Sequence, residues 1–190
     1  MKFIFDFDDV LFYNSDKLKK RIYFCLDKAG IPYGTAEAYY KKVRGGEFSL
    51  KDFLSELVDL ENKKDIEAEE LHEEIMSECP NFINTELVNL VQKFGKENCY
   101  LVTYGGYEHN KNKVERSGLA PLFSEIHIVS KSKKEAVEKI CAKHKDEKVI
   151  FIDDKIKHFE NLDFKKYPNL QTILFDDNGF EKFLSILPPL

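Results

Sequence analysis

Five short apolar runs, separated by stretches of helical period, most constrain the fold of this 190-residue chain. Each run is rich in Ile, Val, Phe or Tyr and is too short for a helix, which favours buried strands. The runs span residues 2–5, 100–102, 126–129, 149–152 and 172–175. Because strands that alternate with helices pair in parallel, the pattern predicts an α/β fold in three layers, with helices on both faces of a parallel sheet.

One long interval interrupts this alternation, because residues 14–81 show helical patterns and no convincing strand. Ser15 and Ser49 can each cap the start of a helix there, and the Ser49 helix carries a continuous apolar stripe. We therefore predict an all-helical cap domain, residues 14–81, inserted into a Rossmann-like core of residues 1–13 and 82–190. The Gly45-Gly46 pair suits either an inter-helix turn or a cap loop that approaches a ligand closely.

Composition excludes several classes of protein. A net charge of -5 disfavours nucleic acids and anionic membranes as partners. No apolar run reaches the length of a membrane span, and Asp6 interrupts the N-terminal apolar run before a secretion signal can form. The four cysteines are far apart and form no CxxC pair, which predicts reduced, mostly buried thiols in a cytoplasmic protein.

The least usual residues are the acids that follow two of the predicted strands. Asp6, Asp8 and Asp9 end the first strand, and Asp153 and Asp154 end the fourth. In an open parallel sheet, ligands bind beyond the carboxyl ends of the strands. Carboxylates that converge there repel one another, and oxygen ligands at this density favour a hard cation, with Mg²⁺ the first choice.

The same edge of the sheet is expected to hold a hydroxyl and a cation. Thr103 ends the second strand, and Lys131, Lys133 and Lys134 follow the third. Together these groups suit a tetrahedral oxyanion. An Asp beside a metal ion can attack phosphorus and form an aspartyl-phosphate, while an Asp two residues on can protonate the leaving oxygen and later activate water.

These motifs, in this order, resemble those of the haloacid dehalogenase-like (HAD) superfamily of phosphohydrolases. The matching residues are Asp6-x-Asp8-x-Val10, Thr103, a lysine that heads a helix, and the Asp153-Asp154 pair. The match covers the chain apart from the insert. The resemblance implies a C1-type helical cap and a Mg²⁺-dependent phosphatase, a hydrolase of phosphoric monoesters. Its substrate would be a small phosphorylated metabolite such as a sugar phosphate or a nucleotide.

The resemblance also implies a role for each residue of the catalytic motifs. Asp6 would be the nucleophile and a metal ligand. Asp8 would be the general acid and base, with its backbone carbonyl also on the metal. Thr103 would hydrogen-bond the phosphoryl group beside the Tyr104 and Gly105 amides. Asp154 would be the main remaining metal ligand, and Asp153 a second or outer ligand.

Lys133 is the preferred lysine of the third motif, because apolar residues follow it at +3, +4 and +7 and place it in the first turn of a helix. Lys131 and Lys134 remain alternatives. Two positions depart from the family pattern. Asp9 stands where glycine is common, and we expect it to be a solvated charge at a helix start. His158 follows the acidic pair at a position where some members carry another acid, and we leave it out of the predicted site.

Two other functions remain open at the level of sequence. A phosphomutase of the same superfamily would return the phosphoryl group to a sugar. A phospho-accepting or binding-only signalling domain would use similar strand-end residues around Mg²⁺. The receiver type has no helical insert and no Asp two residues beyond its phosphorylated Asp, which makes it the weaker alternative. The sequence does not indicate the oligomeric state.

Overall fold

A computed structural model of the chain describes residues 1–44 and 47–187. The Gly45-Gly46 pair lies outside the described residues, as do Pro188 and Pro189, which the sequence predicts to end the last helix. None of the helices in the described part of the chain is long and apolar enough to cross a membrane.

A parallel sheet forms the centre of the molecule. Within the described residues it has five strands in the order β3-β2-β1-β4-β5. They are β1 (Lys2–Phe5), β2 (Cys99–Tyr104), β3 (Glu125–Val129), β4 (Val149–Asp153) and β5 (Leu170–Leu174). The five predicted strands and their parallel pairing are confirmed. Burial was predicted for all of them, and for β3 that prediction is wrong. This strand lies at the edge of the sheet and leaves Ile126 37% exposed.

Helices connect the strands and cover both faces of the sheet. The described residues contain eight α-helices: α1 (Lys19–Lys28), α2 (Tyr33–Val43), α3 (Leu50–Leu60), α4 (Ala68–Met76), α5 (Thr85–Phe94), α6 (Tyr107–Arg116), α7 (Lys134–Lys143) and α8 (Gly179–Ser185). On one face, Val137 and Ile140 of α7 pack against β-strand residues in a separate apolar cluster. The larger cluster on the other face includes residues of α5 and α8 and continues into α1–α4.

The first four helices occupy the interval between β1 and α5. Ser49 caps α3 by accepting a hydrogen bond from the Asp52 amide at 3.3 Å. The two ends of this insert run side by side, because the Tyr13 amide donates to the Phe82 carbonyl at 2.7 Å. The division into a core and a cap with boundaries at residues 14 and 81 remains a prediction.

All four cysteines are free and buried, as the sequence predicts: Cys25, Cys79, Cys99 and Cys141. Burial raises the pKa of each thiol, to about 12 for Cys99 and to about 11 for Cys25. These cysteines are therefore apolar packing groups, and none is poised as a thiolate.

Candidate active site

The carboxyl ends of the three central strands bring the predicted residues together. In the sheet register, Phe5 of β1 lies opposite both Leu101 of β2 and Ile152 of β4. Asp6 directly follows Phe5, and its amide donates to the Ile152 carbonyl at 2.9 Å. A cavity of about 480 Å³ opens at this edge, and Asp6, Asp8 and Thr103 line it together with residues of the insert.

Lys133 connects two of the predicted acids. Its Nζ lies 2.7 Å from Asp6 Oδ1 and 2.6 Å from Asp153 Oδ2. All three residues are buried. Lys133 is buried because it immediately precedes α7, whose apolar face packs on the sheet. Of the two alternative lysines, Lys134 pairs with Glu138 and Lys131 is exposed. Among the three candidates, the geometry therefore favours Lys133 for the site.

The two buried carboxylates that share Lys133 have pKa values shifted in opposite directions. Burial raises the pKa of Asp6 to about 7, although Lys133 opposes this rise and the charge of Asp153 adds to it. Burial would also raise the pKa of Asp153, but the hydrogen bond from His158 and the charge of Lys133 hold that pKa below its usual value. Asp153 therefore stays ionised, while Asp6 exchanges a proton close to neutral pH.

The two oxygens of Asp6 have different surroundings. Oδ1 accepts the Phe7 amide at 2.7 Å and faces Lys133. Oδ2 receives no hydrogen bond from the described residues, and Asp6 lines the cavity. The carboxylate is thus fixed through one oxygen, which leaves the other available to a ligand or an electrophile.

Thr103 supplies a hydroxyl without a protein partner. Its Oγ1 is buried, lines the same cavity region, and makes no hydrogen bond with the described residues. A buried polar group of this kind needs a partner, and a bound oxyanion would supply one. The prediction that the Gly105 amide lies free beside the phosphoryl group is wrong, because that amide donates to the Val129 carbonyl at 2.9 Å.

Asp8 has a partner that the sequence did not reveal. Lys113 of α6 donates to both carboxylate oxygens of Asp8, at 2.5 and 2.7 Å, and to Asn14 Oδ1 at 3.2 Å. The lysine is only 1% exposed. A sequence signal was present, because Asn110, Lys113 and Val114 share the helical spacing of a buried face and are the buried residues of α6. A lysine on such a face requires an acidic partner.

His158 is the other residue that sequence reasoning left out. Its Nδ1 lies 2.8 Å from Asp153 Oδ2, its side chain is 11% exposed, and it lines the cavity. The structure therefore places His158, which we left out of the predicted site, against the predicted site residue Asp153. The imidazole donates this hydrogen bond and the carboxylate of Asp153 accepts it.

Asp154 stands apart from the buried cluster. Its carboxylate pairs with Lys155 Nζ at 2.9 Å. Burial would lower the pKa of Lys155, but the hydrogen bond to Asp154 and the charges of Asp6 and Asp9 raise it. Acids from both strand ends thus act on the pKa of one neighbouring lysine.

The donor set fits a hard divalent cation. Ligand atoms of Asp6, Asp153 and His158 lie within 4.8 Å of one another. Both oxygens of Asp153 are already bound by protein groups, Oδ1 by the Lys155 amide and Oδ2 by Lys133 and His158. An outer position therefore suits Asp153 better than direct ligation. The oxygen of Asp6 that accepts no hydrogen bond from the described residues suits a hard cation, whereas Asp154 lies outside this group.

Asp9 organises the start of the insert. Its φ is 60°, a left-handed conformation that favours glycine and is uncommon for other residues. Its carboxylate accepts hydrogen bonds from the Ser15 amide at 2.8 Å and from the Ser15 hydroxyl at 2.6 Å. Ser15 follows Asn14, the first residue of the helical turn that leads into α1. Asp9 contacts the start of this helical turn, but it is half-buried and hydrogen-bonded, so the expectation of a solvated charge is wrong.

Comparison with known proteins shows the fold. No protein-family model and no curated protein matches the sequence. A solved structure described as a haloacid dehalogenase-like hydrolase, from Burkholderia xenovorans LB400, is similar with a TM-score of 0.67 and 17% identity over 98% of this chain and 88% of that one.

Two further structures cover almost the whole length of both chains. A hydrolase from Streptococcus pneumoniae TIGR4 gives a TM-score of 0.57 and 17% identity, over 97% of this chain and 98% of that one. A protein described as a HAD-like family hydrolase, from Porphyromonas gingivalis, gives 0.53 and 14%, over 99% and 98%. The chain therefore has the fold of HAD-like hydrolases, which confirms the predicted α/β, Rossmann-like architecture.

Proposed function

We propose that this protein is a Mg²⁺-dependent phosphatase that hydrolyses a small phosphomonoester through an aspartyl-phosphate on Asp6. One observation carries the proposal. Lys133 contacts one oxygen of Asp6, and Asp6 lines the same cavity as Thr103, whose hydroxyl has no hydrogen-bond partner among the described residues. A carboxylate nucleophile and a hydroxyl donor that line one cavity are groups that phosphoryl transfer needs.

The residues divide the reaction between them. The free oxygen of Asp6 attacks phosphorus, while Lys133 and Thr103 stabilise charge on the phosphoryl oxygens. Mg²⁺, held by Asp6, the Asp8 carbonyl and Asp154, would neutralise phosphoryl charge when bound. Asp153 keeps Lys133 and His158 in place through its side-chain oxygen.

Asp8 has to serve two steps. Lys113 contacts both oxygens of its carboxylate, and Asp8 activates water for hydrolysis of the aspartyl-phosphate in its ionised form. Protonation of the leaving oxygen requires that Asp8 carry a proton and turn from Lys113 toward the substrate. Residues 14–81 would act as a cap that excludes bulk water during these steps.

A phosphate-release screen against a panel of phosphorylated metabolites tests the proposal, with Mg²⁺ and with a chelator. Asp6→Asn should reduce turnover by about a thousandfold or more, because it removes the nucleophile. Asp176→Asn is the matched control, since Asp176 pairs with Lys182 on the surface. Equal phosphate release by the wild type and Asp6→Asn would overturn the mechanism. Undiminished release in chelator would overturn the metal requirement.

A second pair of variants tests the choice of lysine. Lys133→Met should lower turnover strongly, whereas Lys134→Met should not, because Lys134 contacts only Glu138 on its own helix among the described acids. The same assay separates hydrolysis from the mutase alternative. Conversion of a hexose 1-phosphate into the 6-phosphate, without release of phosphate, would identify a phosphomutase.

A further inference from the structure

The cavity has more cationic groups than a single phosphate requires. Two carboxylates line it, those of Asp6 and Asp8. The cations that line it are Lys19, Arg44, Lys113, Lys155 and Lys157. Lys133 lies behind this surface, against Asp6 and Asp153. The charge balance of the cavity therefore depends on which of the lining cations have acidic partners of their own.

Most of the lining cations are paired with protein carboxylates. Lys113 pairs with Asp8 at 2.5 Å, Lys155 with Asp154 at 2.9 Å, and Lys19 with Glu37 at 3.7 Å. Arg44 and Lys157 have no carboxylate within ion-pair distance among residues 1–44 and 47–187. Lys157 lies over the Tyr104 ring instead, 5.7 Å from its centroid. Arg44 is thus a cavity-lining cation on the insert without an acidic partner in the described chain.

Tyr40 relates Arg44 to the catalytic acids. Burial raises the pKa of the Tyr40 hydroxyl, the guanidinium of Arg44 opposes the rise, and Asp8 is among the acids that add to it. Tyr40, Arg44 and Asp8 all line the cavity. Arg44 directly follows α2, and its amide donates to the Tyr40 carbonyl at 2.8 Å, so its backbone is anchored to the helix.

We propose that Arg44 binds a second anionic group, a carboxylate or a phosphate, on the leaving part of the substrate. This inference rests on the proposed phosphatase function and narrows the substrate class to small phosphomonoesters that carry another anion. The transferred phosphoryl group already has Lys133 and Thr103 on the core side. A guanidinium on the insert side is left for a different anion, and its planar fork suits carboxylate and phosphate oxygens.

Matched substrate pairs test this proposal. Glycerol 3-phosphate and 3-phosphoglycerate differ by a carboxylate, and fructose 6-phosphate and fructose 1,6-bisphosphate differ by a phosphate. The measured quantity is the ratio of kcat/KM within each pair. The wild type should prefer the more anionic member of at least one pair, and the preferred pair identifies the second anion. Arg44→Gln should lower that ratio by about tenfold to a hundredfold relative to the wild type. Arg44→Lys, which keeps the charge, should give a ratio between those of the wild type and Arg44→Gln.

Lys42→Gln is the control, because Lys42 is an exposed cation of the same helix that does not line the cavity. Its ratio should equal that of the wild type. A wild type without preference for the more anionic members, or an Arg44→Gln ratio equal to that of the wild type, would overturn the inference while leaving the phosphatase function intact. Absence of phosphate release from every phosphomonoester tested would instead overturn the proposed function, and this inference with it.

Discussion

Lys113 holds the carboxylate of Asp8 through both oxygens, at 2.5 and 2.7 Å, from a helix more than a hundred residues further along the chain. The same ammonium reaches Asn14, the first residue of the insert, at 3.2 Å. Lys113 therefore connects Asp8, the proposed proton-transfer residue, to the junction between the first strand and the first residue of the insert.

Replacement of Lys113 by Met should destabilise the protein and impair turnover. Removing one partner of a buried pair leaves the other charge without compensation, and we expect a loss of roughly 1–4 kcal/mol in the free energy of unfolding. Urea denaturation measures it. Lys113→Arg, which keeps the charge, should lose less, and its kcat should lie between those of the wild type and Lys113→Met.

A double-mutant cycle separates the ion pair from lost packing. Asp8→Asn combined with Lys113→Met removes both charges, so the double variant should be more stable than Lys113→Met alone. Additive effects of the two substitutions would show that Lys113 contributes only its apolar stem.

The raised pKa of Asp6 predicts a dependence of stability on pH. Burial favours the protonated form and raises the pKa to about 7, so the stability from this group is present in acid and is lost as the pH rises through that value. Asp153, whose pKa is lowered, acts in the opposite direction and only in more acidic solution.

In chelator, the free energy of unfolding of the wild type should therefore fall from pH 5 to pH 8 more than that of Asp6→Asn, by roughly 1–4 kcal/mol. Denaturation curves at several pH values measure the difference. Asp16→Asn, a variant of an exposed acid, should follow the wild type. Parallel pH profiles for the wild type and Asp6→Asn would contradict the assignment.

Mg²⁺ should bind more tightly as the pH rises, because a cation at Asp6 has to displace its proton below about pH 7. Calorimetric titrations between pH 5 and 8 should give up to about a tenfold gain in affinity per pH unit below neutrality. Asp6→Asn should lose both affinity and pH dependence. Asp154→Asn should lose affinity but keep the pH dependence, since it leaves Asp6 in place. Identical pH dependence in the wild type and Asp6→Asn would refute this prediction.

The strand-end motifs could be predicted because they depend on local spacing and on a general rule for parallel sheets. Asp6, Thr103 and Asp153 meet since β1, β2 and β4 are neighbours, and the apolar runs alone indicate these strands. The edge position of β3 was not predictable in the same way, because strand order is set by pairing between distant segments.

Lys113 and His158 were not predicted as site residues, for the same physical reason. Lys113 and His158 are polar residues whose meaning depends on partners that lie 105 and 5 positions away in the sequence. A lysine or histidine is ordinarily a surface residue, and only packing shows that each faces a carboxylate. The Gly105 amide was also misjudged, because it donates to the Val129 carbonyl of β3. That strand lies beside β2 only in the folded sheet.

Gly106 should be intolerant of a side chain, because the insert packs directly on it. A Cβ at this position would lie 2.7 Å from the Phe48 carbonyl oxygen and 3.2 Å from the Glu47 carbonyl carbon. Phe48 also contacts His109 of α6 edge-on, with ring centroids 5.4 Å apart. Gly106→Val should therefore displace this segment from the core and open the cavity wall that Phe48 helps to form.

The expected result is a raised KM and a loss of roughly 1–3 kcal/mol of stability, the usual cost of overpacking. Gly34→Ala is the matched control, since a Cβ at Gly34 meets nothing within 4 Å and alanine favours the helix. Steady-state kinetics and urea denaturation of both variants measure the effect. If Gly106→Val retained the wild-type KM and stability, the contact between the Phe48 segment and the start of α6 would have no part in shaping the cavity.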